Sequence, residues 1–132
     1  MTNFFSQGID IVEVERIKKL VYKYGYKFLE KIFSNKEITI LKQFKLYNES
    51  TILKIAGRFA AKEAASKALG TGLRKGIRFS DFEITNDING QPLINFKGQA
   101  KEILNKYKKI KSTVTISNEK LYAVALVTLV SF

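Results

Sequence analysis

The sequence predicts one globular domain that combines helices with strands, and three observations lead to this expectation. Its 132 residues, of which 45% are hydrophobic and one is proline, are typical of a single packed domain. An alanine-rich segment from about Thr51 to Leu69, followed by Gly70, predicts a long helix. The Asn89-Gly90 step between two short apolar runs predicts a β-hairpin. We therefore expect a single domain over residues 1–132.

The first half of the chain is predicted to form one strand followed by helices. Apolar residues run through Phe4 to Val14, as is typical of a buried strand. Apolar positions at helical spacing, with basic residues between them, then predict a helix that ends at Gly25. Ser34, three residues before Glu37, forms a capping box that begins another helix, which extends to Phe44.

The second half is predicted to be mainly strands. Pro92 should stand at the start or edge of the second hairpin strand, because proline has no amide proton for a ladder. A short basic helix, Gln99 to Tyr107, precedes two more strands, Thr113 to Ile116 and Leu121 to Val130. The last strand is almost entirely apolar, which indicates burial on both faces, with a second subunit as one candidate cover.

The composition limits the chemistry that the chain can perform. It contains neither cysteine nor histidine, which excludes disulfides, thiolate nucleophiles, cysteine-bound zinc and the commonest acid–base side chain near neutral pH. Catalysis would therefore use carboxylates, amines, hydroxyls or a bound hard cation. The net charge of +11 favours a polyanionic partner, although lysines that simply fill solvated faces explain it equally well.

The sequence shows no membrane or export signal. No stretch approaches the roughly 20 apolar residues that cross a bilayer, and the first residues lack the basic-then-apolar order of a signal peptide. We therefore expect a cytoplasmic protein without a membrane span.

Three charged residues interrupt apolar surroundings. Glu63 and Lys67 lie one turn apart on the long helix, and spacing alone favours an ordinary i,i+4 surface pair between them. Asp10 lies within an apolar strand, where a carboxylate is solvated at the strand end, caps the following helix or needs a partner. Alternatively, Asp10 and Glu63 converge on one divalent cation. Carboxylate and water oxygens suit Mg²⁺, which binds through one or two carboxylates plus substrate phosphates.

The run from Gly57 to Gly72 closely resembles the G-R-F-A-A-K-E-A-x-x-K-A-x-G-T-G signature of the holo-[acyl-carrier-protein] synthases. Its length and fixed spacing make this motif highly specific. Further matches follow in the family order over essentially the whole chain: Gly8 to Glu13 with Arg16, Phe33 to Glu37, Gly90 to Pro92, and Thr115 to Ser117 with Tyr122-Ala123.

The resemblance implies an α+β fold, the 4′-phosphopantetheinyl transferase fold, in which a small antiparallel sheet packs with helices that include one long helix. It implies transfer of the 4′-phosphopantetheine group of coenzyme A to a serine of apo-acyl-carrier protein. The other product is 3′,5′-ADP, and the reaction serves fatty acid and lipid biosynthesis. The family also assembles as a homotrimer with active sites between neighbouring subunits.

The same resemblance assigns roles to residues. Asp10 and Glu63 would bind Mg²⁺ and, together with Lys67, form the catalytic set, while Arg16 would contact the acidic surface of the carrier protein. Asn118 stands where the family usually has histidine, so that position offers an amide that cannot carry charge. The expected coenzyme A ligands are Arg58, Lys62, Ser66, Gly70, Gly72 and Asn118.

Two other functions are compatible with parts of the sequence. The charge of +11 and the lysines near several tyrosines are typical of a small nucleic-acid-binding protein. That class does not account for Asp10 in the first strand or for the ordered match from Gly57 to Gly72. The replacement at Asn118 also allows an inactive homologue of the synthases.

Overall fold

The computed structural model describes residues 3–132 and has the expected α+β organisation. A strand and four helices come first, followed by a hairpin, a fifth helix and two long strands. The elements are β1 (Phe4–Glu13), α1 (Val14–Tyr24), α2 (Tyr26–Ile32), α3 (Asn35–Leu41), α4 (Glu49–Leu69), a 3-10 turn (Phe79–Asp81), β2 (Phe82–Asn86), β3 (Pro92–Phe96), α5 (Gly98–Leu104), β4 (Ile110–Asn118) and β5 (Tyr122–Ser131).

The strands form two antiparallel sheets. The larger sheet has the order β1-β5-β4, so the C-terminal strand is central and pairs with both neighbours. In its register Asp10 lies opposite Ala125, and Asn118 lies opposite Ala123. The second sheet is the β2–β3 hairpin, whose second strand begins at Pro92 as predicted. No helix within residues 3–132 is long and apolar enough to cross a membrane.

Helix α4 packs on one face of the larger sheet and leaves the other face uncovered. Side chains that point toward α4, such as Ala125 and Val127 of β5, are buried. On the opposite side Phe5, Ile9 and Ile11 are 67%, 60% and 61% exposed. We call this the outer face, formed by alternate residues of β1, β5 and β4. The prediction that β1 is a buried strand was therefore wrong for half of its residues within one chain.

The predicted breaks and caps are present, although several boundaries differ. Gly25 and Gly70 have φ angles of 58° and 88° and end α1 and α4. Both hydrogen bonds of the Ser34–Glu37 capping box form, but α3 ends at Leu41 and does not reach Phe44. Similarly, α5 ends three residues before Tyr107. Strand β4 is longer than predicted, because the ten-residue β5 gives it a ladder along its full length.

Strand β1 approaches the backbone of α4 very closely at Gly8. A Cβ atom at this position would lie 2.0 Å from the Ala64 carbonyl oxygen and 2.6 Å from the Ala68 amide nitrogen. Ser6 strengthens the contact, because its hydroxyl donates a 2.6 Å hydrogen bond to the Ala68 carbonyl. The alanine-rich surface of α4 thus holds the first strand.

We predict that Gly8→Ala destabilises the protein by about 1–3 kcal/mol, because the added methyl group meets backbone atoms that cannot rotate away. Urea unfolding monitored by circular dichroism measures the change. The matched control is Gly57→Ala, whose Cβ would lie 2.8 Å from a side-chain atom, Ile116 Cγ2, and not from backbone, and which would also favour the helix. Equal stability of Gly8→Ala and the wild type would contradict this packing.

Candidate active site

The structure brings together charged residues from two distant parts of the sequence. Asp10 comes from β1, whereas Glu63 and Lys67 come from successive turns of α4. Lys67 Nζ lies 3.0 Å from Asp10 Oδ1 and donates a second 3.0 Å hydrogen bond to the Ile9 carbonyl. The Gly8 contact therefore places a carboxylate of the strand beside the charged face of the helix.

Glu63 is half-buried and has an unusual electrostatic environment. Burial raises the pKa of its carboxyl, and the negative charge of Asp10 raises it further. The positive charges of Lys67 and Arg16 oppose this pKa shift but do not cancel it. Asp10 and Glu63 are thus close enough for their charges to repel each other, and a cation between them would remove that repulsion.

The surface pair favoured by spacing alone does not form. Within residues 3–132, the ion pairs closer than 4.0 Å include Lys67 with Asp10 but none that involves Glu63. Lys67 therefore bridges two elements across 57 residues of sequence instead of stabilising one turn of its own helix. The carboxylate of Glu63 stays open to another partner.

The carboxylate pair suits a metal that takes most of its ligands from elsewhere. Residues 3–132 contain no group of three or more acidic, histidine or cysteine side chains arranged to hold an ion. Two carboxylates without a full protein cage match the habit of Mg²⁺, which keeps several waters and uses substrate phosphates as ligands. The donor set at Asp10 and Glu63 therefore fits Mg²⁺ together with a phosphate-bearing substrate.

Arg16 lies at the edge of this group, on the exposed side of α1. Its guanidinium carbon is 5.8 Å from the centroid of the Phe59 ring, so α4 supports the side chain from below. Lys19 and Lys23 are exposed on the same face of α1. The site thus opens beside a basic helix surface.

Lys62 has a different place from the one predicted. It is fully buried, and its ammonium donates to Glu37 Oε1 at 2.7 Å and to the carbonyls of Phe79 and Phe82. All three donors of the ammonium are therefore used inside the protein. Burial lowers the pKa of Lys62, while the charge of Glu37 opposes this effect. Lys62 therefore has no donor left for a phosphate oxygen, and its prediction as a coenzyme A ligand is corrected.

The expected coenzyme ligands at the end of α4 also serve the helix. Ser66 is buried, and its hydroxyl donates to the Glu63 carbonyl at 2.7 Å. The amides of Gly70 and Gly72 donate to the carbonyls of Lys67 and Ser66 at 3.0 and 3.1 Å. Because both amides already donate to carbonyls at the end of α4, they are not available to a nucleotide. The prediction that these amides bind coenzyme A is corrected accordingly.

Arg58 and Asn118 lie away from the carboxylates. Arg58 is about 140° around the helix from Glu63, and its guanidinium donates to Asn86 Oδ1 at 2.6 Å. Burial lowers the pKa of Arg58, and the charge of Glu37 opposes this effect. Asn118 lies near Gly57, which precedes Glu63 by about 9 Å of helix rise. One chain therefore does not bring Arg58 or Asn118 to the carboxylates.

Asn118 borders a separate open cavity of about 1280 Å³. Its wall includes Lys18 and Tyr22 of α1 and Tyr47 before α4, and none of Asp10, Glu63 and Lys67 lines it. No sequence pattern indicates this cavity, because its wall combines three distant segments of the chain. The Ile9 carbonyl was missed for another reason, since a backbone oxygen is present at every residue.

Comparisons with known proteins agree with the motif. The family model of the 4′-phosphopantetheinyl transferase superfamily matches residues 6–127. A holo-[acyl-carrier-protein] synthase of Buchnera aphidicola is 48% identical over 121 residues, which cover 91% of this chain and 92% of the relative.

Solved structures give the same result. The synthase of Bacillus anthracis, in complex with coenzyme A (3′,5′-ADP), has a TM-score of 0.81 at 36% identity and covers 99% of this chain and 100% of its own. The Helicobacter pylori synthase, in complex with coenzyme A, has a TM-score of 0.77 at 36% identity and covers 95% and 99%.

We predict that Glu63→Gln stabilises the metal-free protein at pH 8. The pKa of Glu63 is higher in the folded than in the unfolded chain, so wild-type stability falls as the pH rises past the unfolded value of about 4.3. Glutamine carries no charge and avoids this loss, so the difference in Tm should shrink toward pH 4. Thermal unfolding in EDTA measures it, with exposed Glu30→Gln as control. A variant no more stable at pH 8 would argue against the repulsion.

Proposed function

The chain belongs to the holo-[acyl-carrier-protein] synthases of the 4′-phosphopantetheinyl transferase superfamily, and from this premise we propose that Asp10, Glu63 and Lys67 form its reaction centre. The enzyme transfers the phosphopantetheine group of coenzyme A to acyl-carrier protein. The observation that carries the proposal is the convergence of the two carboxylates with Lys67 where β1 meets α4.

Asp10 and Glu63 would hold Mg²⁺ at this centre. When bound, the ion supplies positive charge that neutralises the diphosphate of coenzyme A and helps to align it for attack. The support is chemical: the repulsion between the carboxylates favours a cation, and neither side chain has a competing role in the core.

Lys67 would stabilise negative charge on the transferring or leaving phosphate. Two of its three donors bind Asp10 and the Ile9 carbonyl, so one remains for a phosphate oxygen. The Ile9 and Asp10 contacts hold the ammonium in place before the substrate arrives. Such preorganised charge is the main requirement of phosphoryl transfer, in which the protein forms little covalent chemistry.

The proton of the attacking serine hydroxyl needs an acceptor, and the chain has no histidine. Glu63 is our choice for this group, either directly or through a water that it binds. A carboxylate beside the reacting phosphate is the acceptor that this centre offers to the serine proton. The serine, drawn to the site with the carrier protein, would lie between this carboxylate and the phosphorus.

Arg16 would contact the carrier protein close to the reacting serine. Its exposed position beside Glu63, with Lys19 and Lys23 on the same helix face, presents positive charge to an acidic partner. Complementary charge of this kind raises the rate of encounter and weakens with salt.

A neighbouring subunit would complete the coenzyme pocket in a homotrimer. Two observations support this. Arg58 and Asn118 lie on other sides of the molecule from Glu63, and the outer face exposes a row of large apolar side chains that water contacts unfavourably. Packing outer faces together would cover this surface and bring the residues of one chain to the carboxylates of the next.

We predict a Mg²⁺-dependent mass gain of one phosphopantetheine group when apo-acyl-carrier protein is incubated with coenzyme A and the enzyme. Asp10→Ala and Glu63→Ala should each reduce the rate by at least about 100-fold, because each removes charge stabilisation of the reacting phosphate. Mass spectrometry of the carrier measures the rate, and Glu30→Ala is the control.

The outcomes separate the parts of the proposal. Full activity of both variants would contradict the metal site while leaving the family unchanged. An unmodified carrier with folded wild-type protein would favour the inactive homologue.

In the same assay, Arg16→Ala should raise the KM for the carrier several-fold at low salt and less at high salt. A KM that Arg16→Ala leaves unchanged at low salt would contradict its assigned contact.

We predict that Ile11→Asp converts a trimer into monomers, because it places a charge among the exposed apolar side chains of the outer face. Light scattering after size-exclusion chromatography measures the mass, which should fall from three chains to one. Ile88→Asp is the control, because Ile88 is 99% exposed in the hairpin loop, away from that face. A monomeric wild type would refute the assembly and require another source for the coenzyme pocket.

A further inference from the structure

The buried ammonium of Lys62 joins α4 to the opposite side of the molecule from β1. It binds Glu37 at the start of α3 and the carbonyls of Phe79 and Phe82 in the segment that leads into β2. Glu37 is itself fixed, since its carboxylate accepts hydrogen bonds from the amides of Ser34 at 2.9 Å and Ile84 at 3.0 Å. Lys62 therefore connects α4 to a carboxylate that two backbone amides hold in place.

Stability alone is a poor explanation for this ion pair. Both side chains are almost completely inaccessible, with relative side-chain exposures of 0% and 1%. Burying two charges costs solvation free energy, and replacing such a pair with neutral residues of similar size is often harmless to stability. Unlike apolar side chains, this pair also fixes the orientation of the Lys62 side chain, because three hydrogen bonds converge on its ammonium nitrogen.

Helix α4 needs such a directional constraint. The face that it turns toward the sheet is built largely from alanines, including Ala60, Ala61, Ala64, Ala65 and Ala68. Alanines allow close contact but present no long side chains that interlock with a neighbour and resist rotation. The large residues that do pack around the helix, such as Phe59 against Phe79, are apolar and hold it less strictly.

Rotation of α4 would act directly on the reaction centre. Lys62 immediately precedes Glu63, and the two side chains leave the helix about 100° apart. A helix with its side chains has a radius of about 5–6 Å, so a rotation of about 10° displaces the Glu63 carboxylate by about 1 Å. Errors of this size in reacting groups can lower a rate by about 100-fold.

We infer that Lys62, through its bonds to Glu37 and to the Phe79 and Phe82 carbonyls, is a positioning residue that fixes the rotation of α4 and so aims Glu63 and Lys67 at Asp10. This inference rests on the reaction centre proposed above. It assigns no substrate contact to Lys62. Its effect should therefore fall on the chemical step and on Mg²⁺ activation, while the affinity for coenzyme A changes little.

The test is the double variant Lys62→Met/Glu37→Gln, which removes both charges and keeps the size of both side chains. Glutamine keeps a single acceptor oxygen, so it can bind the Ser34 amide or the Ile84 amide but not both, because these amides bond to different oxygens of Glu37. We expect a folded protein whose kcat is reduced by about 10- to 100-fold, with the KM for coenzyme A within about twofold of the wild type. The Mg²⁺ concentration for half activation should rise. Steady-state kinetics per folded molecule and thermal unfolding measure these quantities.

The matched control is Lys97→Met/Glu83→Gln. Glu83 is equally buried, pairs with Lys97 at 2.9 Å and receives a hydrogen bond from Ser34, but its pair includes no residue of α4. This variant should keep the wild-type kcat. A similar loss of kcat in both double variants would indicate a general effect of the polar core and would overturn the inference, as would a wild-type kcat in Lys62→Met/Glu37→Gln.

Restoring the ammonium gives an independent readout. Because the chain has no cysteine, Lys62→Cys would carry the only thiol, which bromoethylamine converts under denaturing conditions into a close mimic of lysine. After refolding, kcat should recover at least tenfold over the unmodified variant, with wild-type protein taken through the same cycle as reference. No recovery in a folded, fully alkylated protein would count against Lys62.

Two further results keep the outcomes distinct. If the double variant does not fold, Glu37→Gln alone replaces it: a lower kcat at unchanged KM supports the inference, and a wild-type kcat overturns it. Full activity of Asp10→Ala would instead refute the reaction centre itself, whatever Lys62 does.

Discussion

The packing of β1 on the backbone of α4 at Gly8 is the contact on which the rest of the molecule depends. Only a residue without a side chain lets the strand come this close, and the alanines beneath it keep the helix equally thin. Asp10 follows two residues later along the strand, so its carboxylate arrives at the level of Glu63 and Lys67. A wider separation between strand and helix would leave three unrelated surface charges in place of a common site.

Helix α4 is held in two different ways on its two sides. Small residues on the sheet side allow close approach, and directional hydrogen bonds from Lys62 on the other side limit rotation. Close approach determines how far Asp10 is from the helix, whereas rotation determines which helical residues it meets. Both are needed because the reacting groups come from different elements, and an error in either distance or angle separates them.

Local patterns predicted local structure well and long-range partners poorly. The capping box at Ser34, the stop at Gly70 and the turn at Asn89-Gly90 were all predictable, since each depends on residues only a few positions apart. The sheet order and the uncovered outer face depend on pairing across more than 100 residues. Spacing likewise gave Lys67 the wrong neighbour. Helical periodicity described one turn, and the partner came from a strand 57 residues earlier.

Lys62 illustrates a further limit of prediction from sequence, because the family motif identifies this lysine but does not show which way its side chain points. Next to Glu63 in sequence, it leaves the helix on another side and faces the protein interior. The same motif therefore contains Lys62, whose charge is paired with Glu37 inside the fold, and Glu63, whose charge has no such partner within residues 3–132. Glu63 and Asp10 repel each other until a cation lies between them, and this cost to the folded chain is acceptable because binding of the cation removes it. In the proposed mechanism the same cation would neutralise charge on the reacting phosphate, which is a main requirement of phosphoryl transfer.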